Sequence, residues 1–162
     1  HTRLAAVGYL TALIMIMFPL VDVGANLWPF RPGEINWRYG SYGLMSGYLL
    51  TVVLGFGLAL AAGALARHRG ALRLVTLVSG LAGLALLLVG VVYALDALQI
   101  RGTLSGEALT QFSIGTVKAL FKNGISGFAL IWIAWAAWRE GAQQGREGQT
   151  GTKEKPLVSG AS

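Results

Sequence analysis

GSYGLMSGYLLTVVLGFGLALAAGALA, residues 40–66, carries no charged side chain over 27 residues and ends against the basic turn Arg67-His68-Arg69. As a helix this stretch reaches about 40 Å, at about 1.5 Å per residue. The hydrocarbon core of a bilayer is about 30 Å thick, so the segment crosses it with residues to spare. A water-soluble domain of this size does not normally bury so long an apolar helix. The stretch therefore reads as a membrane span.

Three more apolar runs lie on either side. The first covers Leu4 to Val21 and continues toward Leu27; the others run from Leu74 to Leu98 and from Thr116 to Trp138. The expected fold is all-α: four transmembrane helices, about 4–27, 40–66, 74–98 and 116–138, in an antiparallel bundle. Residues 1–138 form one membrane domain. Residues 139–162 form a polar, Gly-rich tail, expected to be cytoplasmic and, taken alone, disordered. The first run begins near the N-terminus, where a cleaved signal peptide has to be weighed, with Val23-Gly24-Ala25-Asn26 as its exit. Its length favours retention as a helix. The chain begins with His rather than Met, so at least one preceding residue is expected.

Of the 162 residues, 54% are hydrophobic and 12% charged. A soluble domain carries about 25% charged residues, and the four apolar runs leave no room for one here. The net charge of +6 sits in short patches between apolar runs, where topology and anionic lipid account for it without nucleic acid. With no cysteine there is no disulfide, thiol nucleophile or cysteine metal site.

Sidedness follows from the basic residues. Both termini and the 67–73 turn on one side collect Arg3, Arg67, Arg69, Arg73, Arg139, Arg146, Lys153 and Lys155. The other side holds Arg31, Arg38, Arg101, Lys118 and Lys122, so the positive-inside rule puts both termini in the cytoplasm. Between the first two runs, NLWPFRPGEINWRYGSY (26–42) brings Trp28, Phe30, Trp37, Tyr39 and Tyr42 together with two prolines. This reads as an interfacial loop with aromatics at headgroup level; a partner- or glycan-binding loop is the alternative. Residues 99–115 read as a second connection, with Ser105 or Thr103 capping a short amphipathic turn.

Helix packing in lipid relies on small residues. Gly43-x-x-x-Gly47, Gly55-x-x-x-Ala59 and Ala59-x-x-x-Gly63 mark the second helix, and Ser79-x-x-x-Gly83 the third. Their concentration predicts a close pair between these two helices.

Five charges fall in one layer at the non-cytoplasmic ends of the helices: Asp22, Arg38, Asp96, Lys118 and Lys122. The bland reading has each lysine snorkelling and each aspartate facing water. An ion-paired cluster fixing the first, third and fourth helices is the second reading, and a proton- or ion-conducting site the third. The middle thirds of the helices carry no charge, which weighs against transport. His68, between two arginines, is the one candidate as a ligand to a pigment magnesium. The chain offers no metal-ligand set, no His and carboxylate to complete a serine triad, and no phosphate-binding glycine loop.

Three stretches carry a family resemblance: residues 26–60, residues 66–101, and ALFKNGISGFALIWIAWAAWRE (119–140). Together they resemble the cyanobacterial HpsJ-like proteins of hormogonium polysaccharide biosynthesis. Asn26, Trp37, Arg38, Lys122, Asn123, Gly124 and Trp132 are the matching positions. The resemblance implies a four-helix membrane protein from a photosynthetic source and brings no catalytic residues. The long glutamine-rich segment of that family between the last two helices is shortened here to 99–115.

The expected function is that of a non-enzymatic accessory or scaffold subunit of a larger membrane complex, most sharply a photosynthetic assembly. A component of polysaccharide biosynthesis or export and a small transporter are the alternatives. Expected partners are membrane lipid and a larger protein complex, with no intrinsic cofactor and with chlorophyll or carotenoid contact left open at the complex interface.

Overall fold

The structure is a computed structural model that describes residues 2–153. It has four helices: α1 (Thr2–Asn26), α2 (Ile35–Leu65), α3 (Arg69–Arg101) and α4 (Gly106–Lys153). Among the described residues there is no strand. All four helices are long and apolar enough to cross a membrane. The expected all-α membrane architecture therefore holds. Parts of two expectations, His1 and the tail from residue 154 on, including Lys155, lie outside the described residues.

The helix ends differ from the hydropathy reading, each for a physical reason. α2 begins at Ile35 because Pro32 and Gly33 stop the preceding turn, and the polar Asn36 and Arg38 do not interrupt a helix. α3 begins at Arg69, so the α2–α3 connection is shorter than the 67–73 turn. It closes as a Schellman motif: His68 N–H donates to Gly63 O at 3.0 Å and Arg67 N–H to Ala64 O at 3.2 Å. Arg67 occupies the left-handed position of that motif, with φ 53°, where glycine is usual. The expected 99–115 connection shrinks to residues 102–105, with Thr103 and Leu104 amides turned back onto Ile100 and Arg101. Thr103 Oγ1 donates to Ile100 O at 2.8 Å, so it closes α3 rather than capping a helix start. α4 does not stop at Trp138. It continues through 139–153, where the tail was expected to be disordered, and at 48 residues reaches about 72 Å. It therefore projects well past a membrane about 30 Å thick.

The α3–α4 contact is the most extensive in the molecule, and its sequence basis is a seven-residue repeat. On α4, Thr116, Asn123, Leu130, Ala137 and Gln144 are all buried, each seven residues after the last. On α3, Leu72, Ser79 and Tyr93 share that spacing, with Gly83, Gly90 and Ala97 beside them. A seven-residue repeat keeps one seam facing a partner helix crossing at about 20°, the left-handed geometry common in bundles. Gly83 allows the approach: a Cβ there would lie 2.9 Å from Gly127 O and 3.2 Å from the Ile131 amide.

The glycine faces thus divide differently from the expected α2–α3 pairing. Gly55 packs against Ala12, Met15 and Ile16 of α1, Gly63 against Leu72 and Tyr9, and Gly83 against α4. Ala59 packs on the cluster of Leu72, Val75 and Ala137, and Ser79 is fully buried. Gly43 and Gly47 face open space and join no helix. α2 touches all three other helices, whereas α1 packs on α2 and not on α3 or α4. α1 carries Pro19 inside its helix, which deprives the Met15 carbonyl of its usual donor.

Candidate functional site

The polar chemistry of the bundle gathers at the end formed by the α1–α2 loop and the α3–α4 turn. Arg38 sits one turn into α2 and Asp96 near the end of α3. They meet in a fork: Arg38 Nε donates to Asp96 Oδ2 at 2.8 Å and Nη2 to Oδ1 at 2.7 Å. Arg38 Nη1 donates to the Pro32 carbonyl at 2.9 Å, which ties the α1–α2 loop to the pair. Asp96 is only 4% exposed, so the expectation that it faces water is corrected. A carboxylate in so dry a place persists only with a matched partner, and a bidentate guanidinium is the strongest that a side chain supplies.

Beneath the pair lies a column of aromatic rings. Phe112, Tyr39, Tyr93 and Tyr42 stack in that order, with ring centroids 4.9, 4.9 and 3.8 Å apart. Helical spacing places them: Tyr39 and Tyr42 follow Arg38 on α2, and Tyr93 is one turn before Asp96 on α3. The Tyr39 hydroxyl shares a 2.8 Å hydrogen bond with Thr116 Oγ1 of α4. Tyr39 and Tyr42 are thus not loop residues at headgroup level, as expected from the 26–42 segment, but parts of the helix core. Trp37 lies in α2 with its ring edge-on to Phe30 at 4.9 Å. Of the expected aromatic loop, Trp28 and Phe30 are the two that lie between helices, both strongly exposed.

One turn deeper, Asn123 of α4 donates from Nδ2 to the Leu86 carbonyl of α3 at 2.8 Å. Its Oδ1 and the Tyr42 hydroxyl are buried without a protein partner. Both residues approach Gly90, whose bare Cα leaves the space they occupy.

The remaining charges behave separately. Asp22 accepts a hydrogen bond from the Tyr48 hydroxyl, which holds α1 to α2. Asn26 Nδ2 donates to the Asp22 backbone at 2.8 Å. Lys118 and Lys122 are exposed and form no ion pair among the described residues. The five charges therefore do not form one cluster; the ion pair joins α2 to α3 rather than binding α1, α3 and α4. His68 lies at the opposite end, exposed, stacked on Tyr9 with its Nδ1 3.4 Å from the Tyr9 hydroxyl. Among the described residues no three His, Asp or Glu side chains gather as a metal-ligand set.

A cavity of about 370 Å³ opens beside the ion pair, walled by Phe30, Trp37, Tyr42, Met45, Val92 and Tyr93. Its walls are apolar and aromatic, with Arg38 and Asp96 at one edge. The arginine charge is already matched and three of its donor sites are occupied, so the cavity suits an uncharged apolar group better than an anion.

The chain matches no family model, no curated protein and no solved structure. The resemblance to HpsJ-like proteins accordingly stands on the quoted residues alone. Of those, Arg38 and Asn123 hold structural positions between helices, whereas Lys122 and Trp132 point outward. Sequence reasoning missed Tyr48, Gly90, Tyr93, Phe112 and Thr116. Tyr93 and Asp96, three apart in an apolar run, were the available signal, because that spacing aims both at one neighbour.

Proposed function

We propose that this chain is a non-enzymatic scaffold or accessory subunit of a larger assembly in a membrane, with both termini cytoplasmic. The observation that carries the reading is how the polar groups are used. Arg38, Asp96, Tyr39, Thr116, Asp22 and Tyr48 are all engaged in holding one helix to another. Chemistry or transport calls for ionisable groups aimed at a substrate or along a path. A second support is the position of α1. It packs on α2 alone and turns Leu10, Ile14, Phe18 and Val21 outward, each more than half exposed.

The test is migration on a native gel after extraction in mild detergent, with the co-migrating proteins identified by mass spectrometry. The reading expects stoichiometric partners, lost when Leu10, Ile14 and Phe18 are replaced together by alanine. A chain that migrates alone under every extraction condition overturns it. Photosynthetic complexes and polysaccharide-export machinery are the two partner classes proposed, and the identity of the co-migrating proteins decides between them.

A further inference from the structure

At the other end of the bundle, a second cavity lies between the first turns of α3 and the part of α4 beyond Trp138. It measures about 390 Å³ and is walled by Arg69, Arg73, Leu77, Trp138, Gly141 and Gly145. Arg69 and Arg73 are four residues apart, so they project from the same face of α3. Arg69 donates to the Gln144 backbone carbonyl, which fixes it against the projecting part of α4. Arg73 is exposed and has no acidic partner among the described residues. Among the described residues no acidic side chain lines the cavity.

The other half of the cavity is apolar and continuous with the lipid-facing surface: Leu74, Leu77 and Trp138 are each about two-thirds exposed. Gly141 and Gly145 create the room, since nothing lies within 4 Å of a Cβ placed on Gly145. One end is thus cationic and the other greasy, at the depth where α4 leaves the membrane.

We propose that this groove binds an anionic phospholipid, with Arg69 and Arg73 on the phosphate and Leu77 and Trp138 against the glycerol and upper acyl chain. Charge complementarity selects the anion, because two unneutralised guanidinium groups hold phosphate oxygens better than any other group at a membrane surface. The apolar floor selects a lipid over a soluble anion. This site is separate from the scaffold reading and stands or falls without it.

Native mass spectrometry of the purified full chain in neutral detergent tests it, with dioleoyl phosphatidylglycerol or dioleoyl phosphatidylcholine added at equal concentration. Retention of the anionic lipid is expected to exceed that of the zwitterionic one by about fivefold or more, the scale of one arginine at an anionic surface. Arg73→Gln removes most of that preference, and Arg73→Lys restores part of it. Gly145→Leu fills the groove without changing net charge and also lowers retention, whereas Arg31→Gln, at the opposite end, leaves it unchanged. Equal retention of the two lipids, or full retention by Gly145→Leu, overturns the proposal. Displacement of the lipid by millimolar glycerol 3-phosphate would mark a soluble-anion site and overturn it equally.

Discussion

Arg38 and Asp96 illustrate how a single pair acts at the residue scale. Removing Arg38 leaves the buried Asp96 carboxylate in a dry place without its counter-charge, while removing both leaves mainly apolar surface to repack. Arg38→Met is therefore expected to lower the unfolding midpoint in detergent more than the double variant Arg38→Met/Asp96→Leu. An equal loss in the two would mean that the pair contributes packing alone. Gly90 makes a second case. A methyl group there would collide with the Asn123 amide and press on the Tyr42 hydroxyl at 3.4 Å. Gly90→Ala is expected to cost about 1–3 kcal/mol, the usual range for overpacking. Adding Asn123→Ala, which removes the obstructing amide, should return part of that loss, and strict additivity in the double variant would contradict the geometry.

At the scale of the helix, the glycines sort by what they face. Gly43 and Gly47 look into open space, so alanine there is expected to be neutral or stabilising by up to about 1 kcal/mol, the propensity difference. Gly83 faces the backbone of α4, which cannot move aside as a side chain can. Gly83→Ala is therefore expected to destabilise, and denaturant titration of the three variants side by side checks the ranking. A stripe of small residues in the sequence does not by itself reveal which of its members meets a neighbour. Hydropathy located all four helices, because length and apolarity are properties of one segment. It misplaced their ends, because Arg139 and Glu140 break an apolar run without breaking a helix. The α4 extension is held instead by the seven-residue spacing of Ala137 and Gln144, and that pattern is only visible once polar Thr116, Asn123 and Gln144 are counted as seam positions. Asp96 was misread for the same reason: its partner lies 58 residues away, and only the α2–α3 pairing brings the two together.

The whole molecule has two unlike ends, and the proposed orientation leans on the difference between them. The ion pair and tyrosine column close one end, between the α1–α2 loop and the α3–α4 turn. The arginine-rich α2–α3 turn and the projecting α4 occupy the other. Seven of the twelve basic residues among those described belong to the second end, and this asymmetry is the basis of the proposed cytoplasmic orientation. Because the chain contains no cysteine, one introduced thiol reports one position without background. Gly33 lies in the α1–α2 loop, Ser105 in the α3–α4 turn and Gly70 at the start of α3; all three are exposed. A membrane-impermeant maleimide added to intact cells is expected to label Gly33→Cys and Ser105→Cys, and to reach Gly70→Cys only after permeabilisation. The reverse pattern would put the arginine groove in the outer leaflet and invert the proposed orientation. Labelling of Gly33→Cys and Gly70→Cys from the same side would contradict a membrane crossing by α2 between them.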